Sequence, residues 1–146
     1  MGVEVVTQIV IARPVDQVAA YATDPDNAPT WYVNIESVEW VTEPPVRVGS
    51  LVTFVAHFLR RRLEYTYEFV ELVPSVRLVM STKNGPFPME TTYTWTALST
   101  TSTRMTMRNR GTPTGFSKLV APFMSMAIRR ATRKDLAKLK QILEAT

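Results

Sequence analysis

From Phe116 to the C-terminus the chain reads as one helix, and that helix constrains what the rest can be. Phe116, Val120, Phe123, Ala127 and Ala131, then Leu136, Leu139 and Leu143, recur at helical spacing and form a single apolar stripe. About 28 residues at 1.5 Å each make a rod of roughly 42 Å. Pro122 is expected to kink or delay its first turns. A helix of that length with one apolar face needs an extended apolar surface to lie on.

The preceding sequence offers a sheet. Arg62 to Val73 alternates most clearly, with Leu63, Tyr65, Tyr67 and Phe69 on one face and Arg62, Glu64, Thr66 and Glu68 on the other. That pattern marks a strand of an antiparallel sheet with one buried face. Further strands are expected at Glu36 to Thr42, Ser50 to Phe58, Val76 to Thr82, Met89 to Leu98 and Thr103 to Arg110. Pro44-Pro45, Gly49, Pro74, Lys83-Asn84-Gly85-Pro86 and Gly111-Thr112-Pro113-Thr114-Gly115 punctuate them.

The first strand covers residues 2 to 11, and then the period changes. Val15, Val18, Ala19 and Ala22 fall on one helical stripe, with Pro14 at the helix start and Asp16 in its first turn. Pro25 cannot extend this helix. Asn27 is expected to cap a second short helix running through Trp31 and Tyr32. Trp31 reads as a wedge between that helix and the core.

The 146 residues suit a single domain, 1–146, with a sizeable core. No cysteine is present and His57 is the only histidine, so disulfides, thiolate nucleophiles and the usual metal-ligand sets lose their residues. No metal or other cofactor is expected. The longest mainly apolar stretch, Leu119 to Ile128, is too short for the roughly 20 residues of a membrane span. With no basic-then-apolar leader at the N-terminus, a cytoplasmic location is the default expectation. The formal charge of +4 draws on Arg129, Arg130, Arg133, Lys134, Lys138 and Lys140 in the long helix. No aromatics interleave these charges for base stacking, so a nucleic-acid partner is not expected.

"IVIARPVDQVAAYATDPDNAPTW", "PPVRVGS", "YEFVELVPSVRLV" and the closing helix, in that order, resemble the SRPBCC or START-like superfamily, including its polyketide cyclase/dehydrase branch. The resemblance implies an α+β helix-grip fold (β-α-α-β6-α). In it a seven-stranded curved antiparallel sheet wraps around the long C-terminal helix, with two short helices after the first strand. It also implies an apolar cavity between sheet and helix that takes lipids, sterols or aromatic polyketides.

Strand parity then selects the lining, provided no bulge shifts it. The candidate ligand-binding residues are Phe54, Phe58, Tyr65, Tyr67, Met80, Met89, Tyr93, Trp95, Met105, Met107 and Asn109 from the strands, with Val120, Phe123 and Met124 from the helix. Flexible, polarizable methionines suit irregular apolar ligands. Buried tyrosine hydroxyls, the indole N–H and the amide supply a few polar contacts.

The same parity turns His57 outward, and puts Glu64, Glu68 and Glu90 on the outer face with Arg104, Arg108 and Arg110. Glu64 and Glu68 are expected to pair with those arginines. No acid or base with a natural pKa near 7 is expected in the cavity, which removes the equipment of hydrolysis. Three functions stay open. One is binding of a hydrophobic aromatic, polyketide or lipid-like molecule. A second is polyketide cyclase/aromatase-type catalysis, with Tyr67, Tyr93 and Asn109 as candidates, in which alignment and polarisation replace an acid–base dyad. A third is a protein-interaction module using the basic helix face. Oligomeric state and the identity of the ligand are not legible in the residues.

Overall fold

The computed structural model describes residues 2–58, 60–82, 84, 88–112 and 117–146, and of residues 58 and 117–121 the backbone only. Strand β1 (Val3–Ile11) leads into α1 (Val15–Thr23), a 3-10 turn (Pro25–Asn27) and α2 (Ala28–Trp31). Six strands follow: β2 (Ile35–Trp40), β3 (Leu51–Phe58), β4 (Arg61–Val73), β5 (Arg77–Thr82), β6 (Met89–Ser99) and β7 (Ser102–Gly111). The chain then closes with α3 (Ser117–Glu144).

The strands form one curved antiparallel sheet in the order β1-β7-β6-β5-β4-β3-β2, the helix-grip arrangement. β1 and β2 therefore lie at opposite edges, and the two short helices carry the chain from one edge to the other. Their boundaries follow local chemistry. The Asp24 carboxylate accepts from the Asp26 N–H at 3.0 Å and so caps the 3-10 turn. Asn27 does not cap α2 as expected; its amide donates instead to the Tyr21 carbonyl at 3.2 Å. Gly49, at φ 93°, makes the left-handed turn that returns the chain into β3. The turn around Gly85 and Pro86, the residues between Thr112 and Ser117, and Phe116 itself lie outside the described residues.

The core is the concave face of the sheet closed by α1, α2 and the C-terminal half of α3. Leu136, Leu139 and Leu143 join Ile11, Val18, Trp31, Phe69, Tyr93, Met105 and Met107 in one buried cluster. Farther up α3, Ile128 packs on Val3 and Val5 in a second, smaller cluster bordered by Met89. Arg13 fastens the helix end: its guanidinium donates to the carbonyls of Glu144 at 2.7 Å and Thr146 at 2.8 Å. The Glu144 carboxylate accepts from the Ala12 N–H at 2.8 Å, and that bond with the Lys140 ammonium holds it below its ordinary pKa.

Ion pairs dress the outer face, but between other partners than expected. Arg110 meets Glu90 at 3.1 Å on neighbouring β6, Arg108 meets Glu4 on neighbouring β1, and Glu64 meets Arg62 on its own strand. Glu64 and Glu68 lie on β4, which β5 and β6 separate from the arginines of β7, so pairing across that gap is sterically closed.

Candidate functional site

The register assembles the lining in rows, because residues directly opposite on neighbouring strands share a face. One row runs Val5, Asn109, Thr91, Met80, Phe69 across β1, β7, β6, β5 and β4. The next runs Thr7, Met107, Tyr93, Leu78, Leu72. Beside them Ile9, Met105 and Trp95 form a third. On the other side of the first row lie Met89 opposite Thr82 and Tyr67 opposite Val52, and toward the β3–β4 hairpin Tyr65 sits opposite Phe54. A bulge between Phe69 and Glu71 reverses the parity of β4, so that Leu72, not Glu71, turns inward.

Most expected lining residues thus share the concave face. Phe54, Met80, Tyr93, Trp95, Met105, Met107 and Asn109 are buried, while Tyr65, Tyr67 and Met89 are half-buried. Of Phe58 and Val120 only the backbone is described. Met124 is half-buried on α3. Phe123 departs from the expectation: it is 71% exposed. The stripe read from Phe116 to Ala131 has a different phase from the one that packs, since Ile128, Thr132, Leu136, Leu139 and Leu143 define the inner face. Phe123 falls outside that arc.

His57 points outward as its parity requires, 57% exposed, and meets Glu36 there. A solvated surface pair of this kind is no catalytic constellation.

The polar groups of the concave face are few and specific. Thr91 donates from Oγ1 to Asn109 Oδ1 at 2.8 Å in a buried bond. That bond fixes the amide so that Nδ2 is a donor, and Nδ2 has no partner among the described residues; neither do Trp95 Nε1 and Thr7 Oγ1. Burial pushes the Tyr67 hydroxyl up to about 12, against a smaller downward pull from Thr91. Tyr65 is raised more modestly, with Arg61 opposing its burial.

At the α2 end the Tyr32 and Tyr93 hydroxyls meet in a hydrogen bond. Trp31 packs against both rings, with centroids 4.2 Å from Tyr32 and 5.8 Å from Tyr93. Next to them lies Asp135, on the inner face of α3 and 3% exposed. Its Oδ1 accepts from the Val33 N–H at 2.8 Å, tying α3 to the segment that leaves α2. Burial raises its carboxyl from 3.8 to about 7, and the Val33 bond only partly offsets this. Burial also keeps both tyrosines protonated, and the nearby carboxylate raises them further.

Asp135 is not a group whose natural pKa lies near 7, so it falls outside the expectation drawn from residue types, yet burial brings a carboxyl of ordinary value 3.8 to about 7 in the interior. The signal was present: Asp135 falls four residues after Ala131 and four before Leu139, on the stripe itself. A charged residue on a buried helical arc is rare unless paired or neutralised.

Among the described residues no helix is long and apolar enough to cross a membrane. No curated protein matches the sequence significantly. Solved structures of similar fold include a protein from Thermus thermophilus (20% identity, 98% of this chain and 99% of that one, TM-score 0.83). The ZhuI aromatase/cyclase from a Streptomyces species is similar at 14% identity, 99% and 94% coverage and a TM-score of 0.85. A START superfamily protein from Mycobacterium smegmatis is similar at 10% identity, 97% coverage of both chains and a TM-score of 0.85. The family profile described as polyketide cyclase / dehydrase and lipid transport matches residues 2–144, and the chain belongs to that family.

Proposed function

We propose that the protein binds a hydrophobic small molecule bearing oxygen, of aromatic or polyketide type, against the concave face beneath α3. The observation that carries this reading is that two buried donors, Asn109 Nδ2 and Trp95 Nε1, have no partner among the described residues and are set among Met80, Met105, Met107 and Tyr93. Leaving a buried donor unpaired costs about 1–3 kcal/mol, and a ligand oxygen reaching it recovers that cost on binding. The methionines and aromatic rings supply the apolar contact area. Membership of a family described by polyketide cyclisation and lipid transport agrees with such a ligand.

Titration of tryptophan fluorescence with anthracene and with a hydroxylated anthraquinone tests the reading. Asn109→Leu and Trp95→Phe are expected to weaken the hydroxylated probe about five- to tenfold and to leave anthracene nearly unchanged, the difference being one hydrogen bond each. Equal effects on both probes would sink it. Native mass spectrometry of the purified protein is expected to show a co-purifying apolar molecule.

A second reading, cyclase-type catalysis, rests on Asp135 beside the Tyr32–Tyr93 pair. Ring closure of a poly-β-ketone requires a base for a carbon-bound proton and a donor for the carbonyl oxygen. A carboxyl poised near pH 7 suits the first task and a neutral buried tyrosine the second. The aromatase/cyclase of similar fold agrees with this reading. In a reconstituted assay Asp135→Asn and Tyr93→Phe are then expected to lower cyclised product at least a hundredfold while probe binding persists. An unchanged product distribution would remove these roles, as it would for Tyr67→Phe.

A further inference from the structure

The most exposed large apolar side chains among the described residues are neighbours on α3: Phe123 at 71% and Met126 at 69%. They lie away from the face on which Ile128 packs against Val3 and Val5. On the same stripe, one to three turns farther along, stand Arg130 and Lys134, flanked by Arg129, Arg133 and Lys138, all exposed. Among the described residues none of these five joins an ion pair. No acidic residue occurs between Ser117 and Lys134, and Asp135 is turned inward. α3 holds seven of the 17 basic residues and only two of the 13 acidic ones, so the positive charge of the protein resides on this helix and the remainder is near neutral.

We propose that this outer face of α3 docks on an anionic lipid bilayer, with Phe123 and Met126 entering the acyl boundary and the basic side chains lying in the headgroup layer. From Phe123 to Lys138 the exposed apolar residues precede the exposed cationic ones along the helix axis, in the order in which a bilayer presents hydrocarbon and then phosphate. Arginine and lysine stems reach along the surface while their charges stay with the phosphates. A second copy of the chain would bring five like charges against five, and duplex nucleic acid admits side chains such as Phe123 and Met126 only by unstacking base pairs at a cost of about a few kcal/mol per step, which a bilayer does not exact. The proposal stands apart from the ligand reading, since it uses the opposite face of the helix.

Co-sedimentation with vesicles separates the outcomes. The protein is expected to pellet with phosphatidylcholine vesicles containing about one third phosphatidylserine, to remain in solution with phosphatidylcholine alone, and to be released at about 1 M salt. Changing Arg129, Arg130 and Arg133 to glutamate is expected to abolish pelleting. The F123S/M126S double variant is expected to reduce it about tenfold with an unchanged far-ultraviolet circular dichroism spectrum. The proposal is overturned if the unaltered protein stays in solution with both vesicle types, if either variant pellets normally, or if it prefers duplex DNA to the charged vesicles in competition. It is equally overturned if F123S/M126S only converts a dimer to a monomer in light scattering, since the face would then join copies of the chain.

Discussion

Asp135→Asn is expected to stabilise the protein by a few kcal/mol at pH 8 and to leave it nearly unchanged at pH 4. In the folded chain the Asp135 carboxyl keeps its proton up to about pH 7, whereas an ordinary aspartate releases it near 3.8. Between those values the folded state binds more protons than the unfolded one, so stability falls as pH rises from about 4 to about 7. Above pH 7 the full cost of a buried carboxylate is present. At 1.36 kcal/mol per pK unit, the raised pKa corresponds to a cost on the order of 2–4 kcal/mol. Asparagine keeps an oxygen for the Val33 N–H and never ionises, so it escapes that cost. Urea unfolding at pH 4, 6 and 8 measures the effect; parallel curves for the two proteins across that range would show that Asp135 does not titrate between them. A group retained at such a cost fits a task other than holding the fold together, which is why the cyclase assay and the unfolding curves should be run on the same variant.

Trp31→Ala is expected to cost about 3–5 kcal/mol, a large share of the roughly 5–15 kcal/mol that hold such a domain together. Trp31 is 1% exposed and comes from a helix of only four residues, too short to persist without its tertiary contacts. Its ring joins α2 to Tyr93 of the sheet. Truncation therefore leaves a cavity and also releases the segment that positions Tyr32 and the Val33 N–H. Trp31→Phe is expected to cost far less, because Nε1 has no partner among the described residues and its removal forfeits no bond. Thermal unfolding of the two variants decides it. Equal losses would mean that the indole, rather than the bulk of the ring, is what the site requires.

The extent to which the architecture could be read before any coordinates reflects the kinds of signal involved. Period-two alternation in Arg62 to Phe69 and helical spacing from Leu136 to Leu143 report burial directly, since each residue's face follows from its position in the repeat until a bulge such as the one after Phe69 shifts it. Strand boundaries accordingly fall within a residue or two of expectation, and Tyr67, Tyr93, Trp95 and Asn109 share the concave face as parity demanded. Where two phases compete the signal is weaker. The first half of α3 is apolar nearly all round, so a stripe drawn through Phe123 looked as good as the one through Ile128, and only packing against Val3 and Val5 chose between them.

The polar chemistry was the least legible part because it depends on meetings between residues far apart in the chain. The Tyr32–Tyr93 bond spans 61 positions, and the Asp135 bond to Val33 spans 102. The sequence by itself determined that seven strands and a long helix would bury one face each, because periodicity is a local property written residue by residue. The tertiary structure alone decided that a carboxyl on that helix would stand beside two tyrosines with its pKa raised, because desolvation belongs to the assembled surroundings and not to the residue.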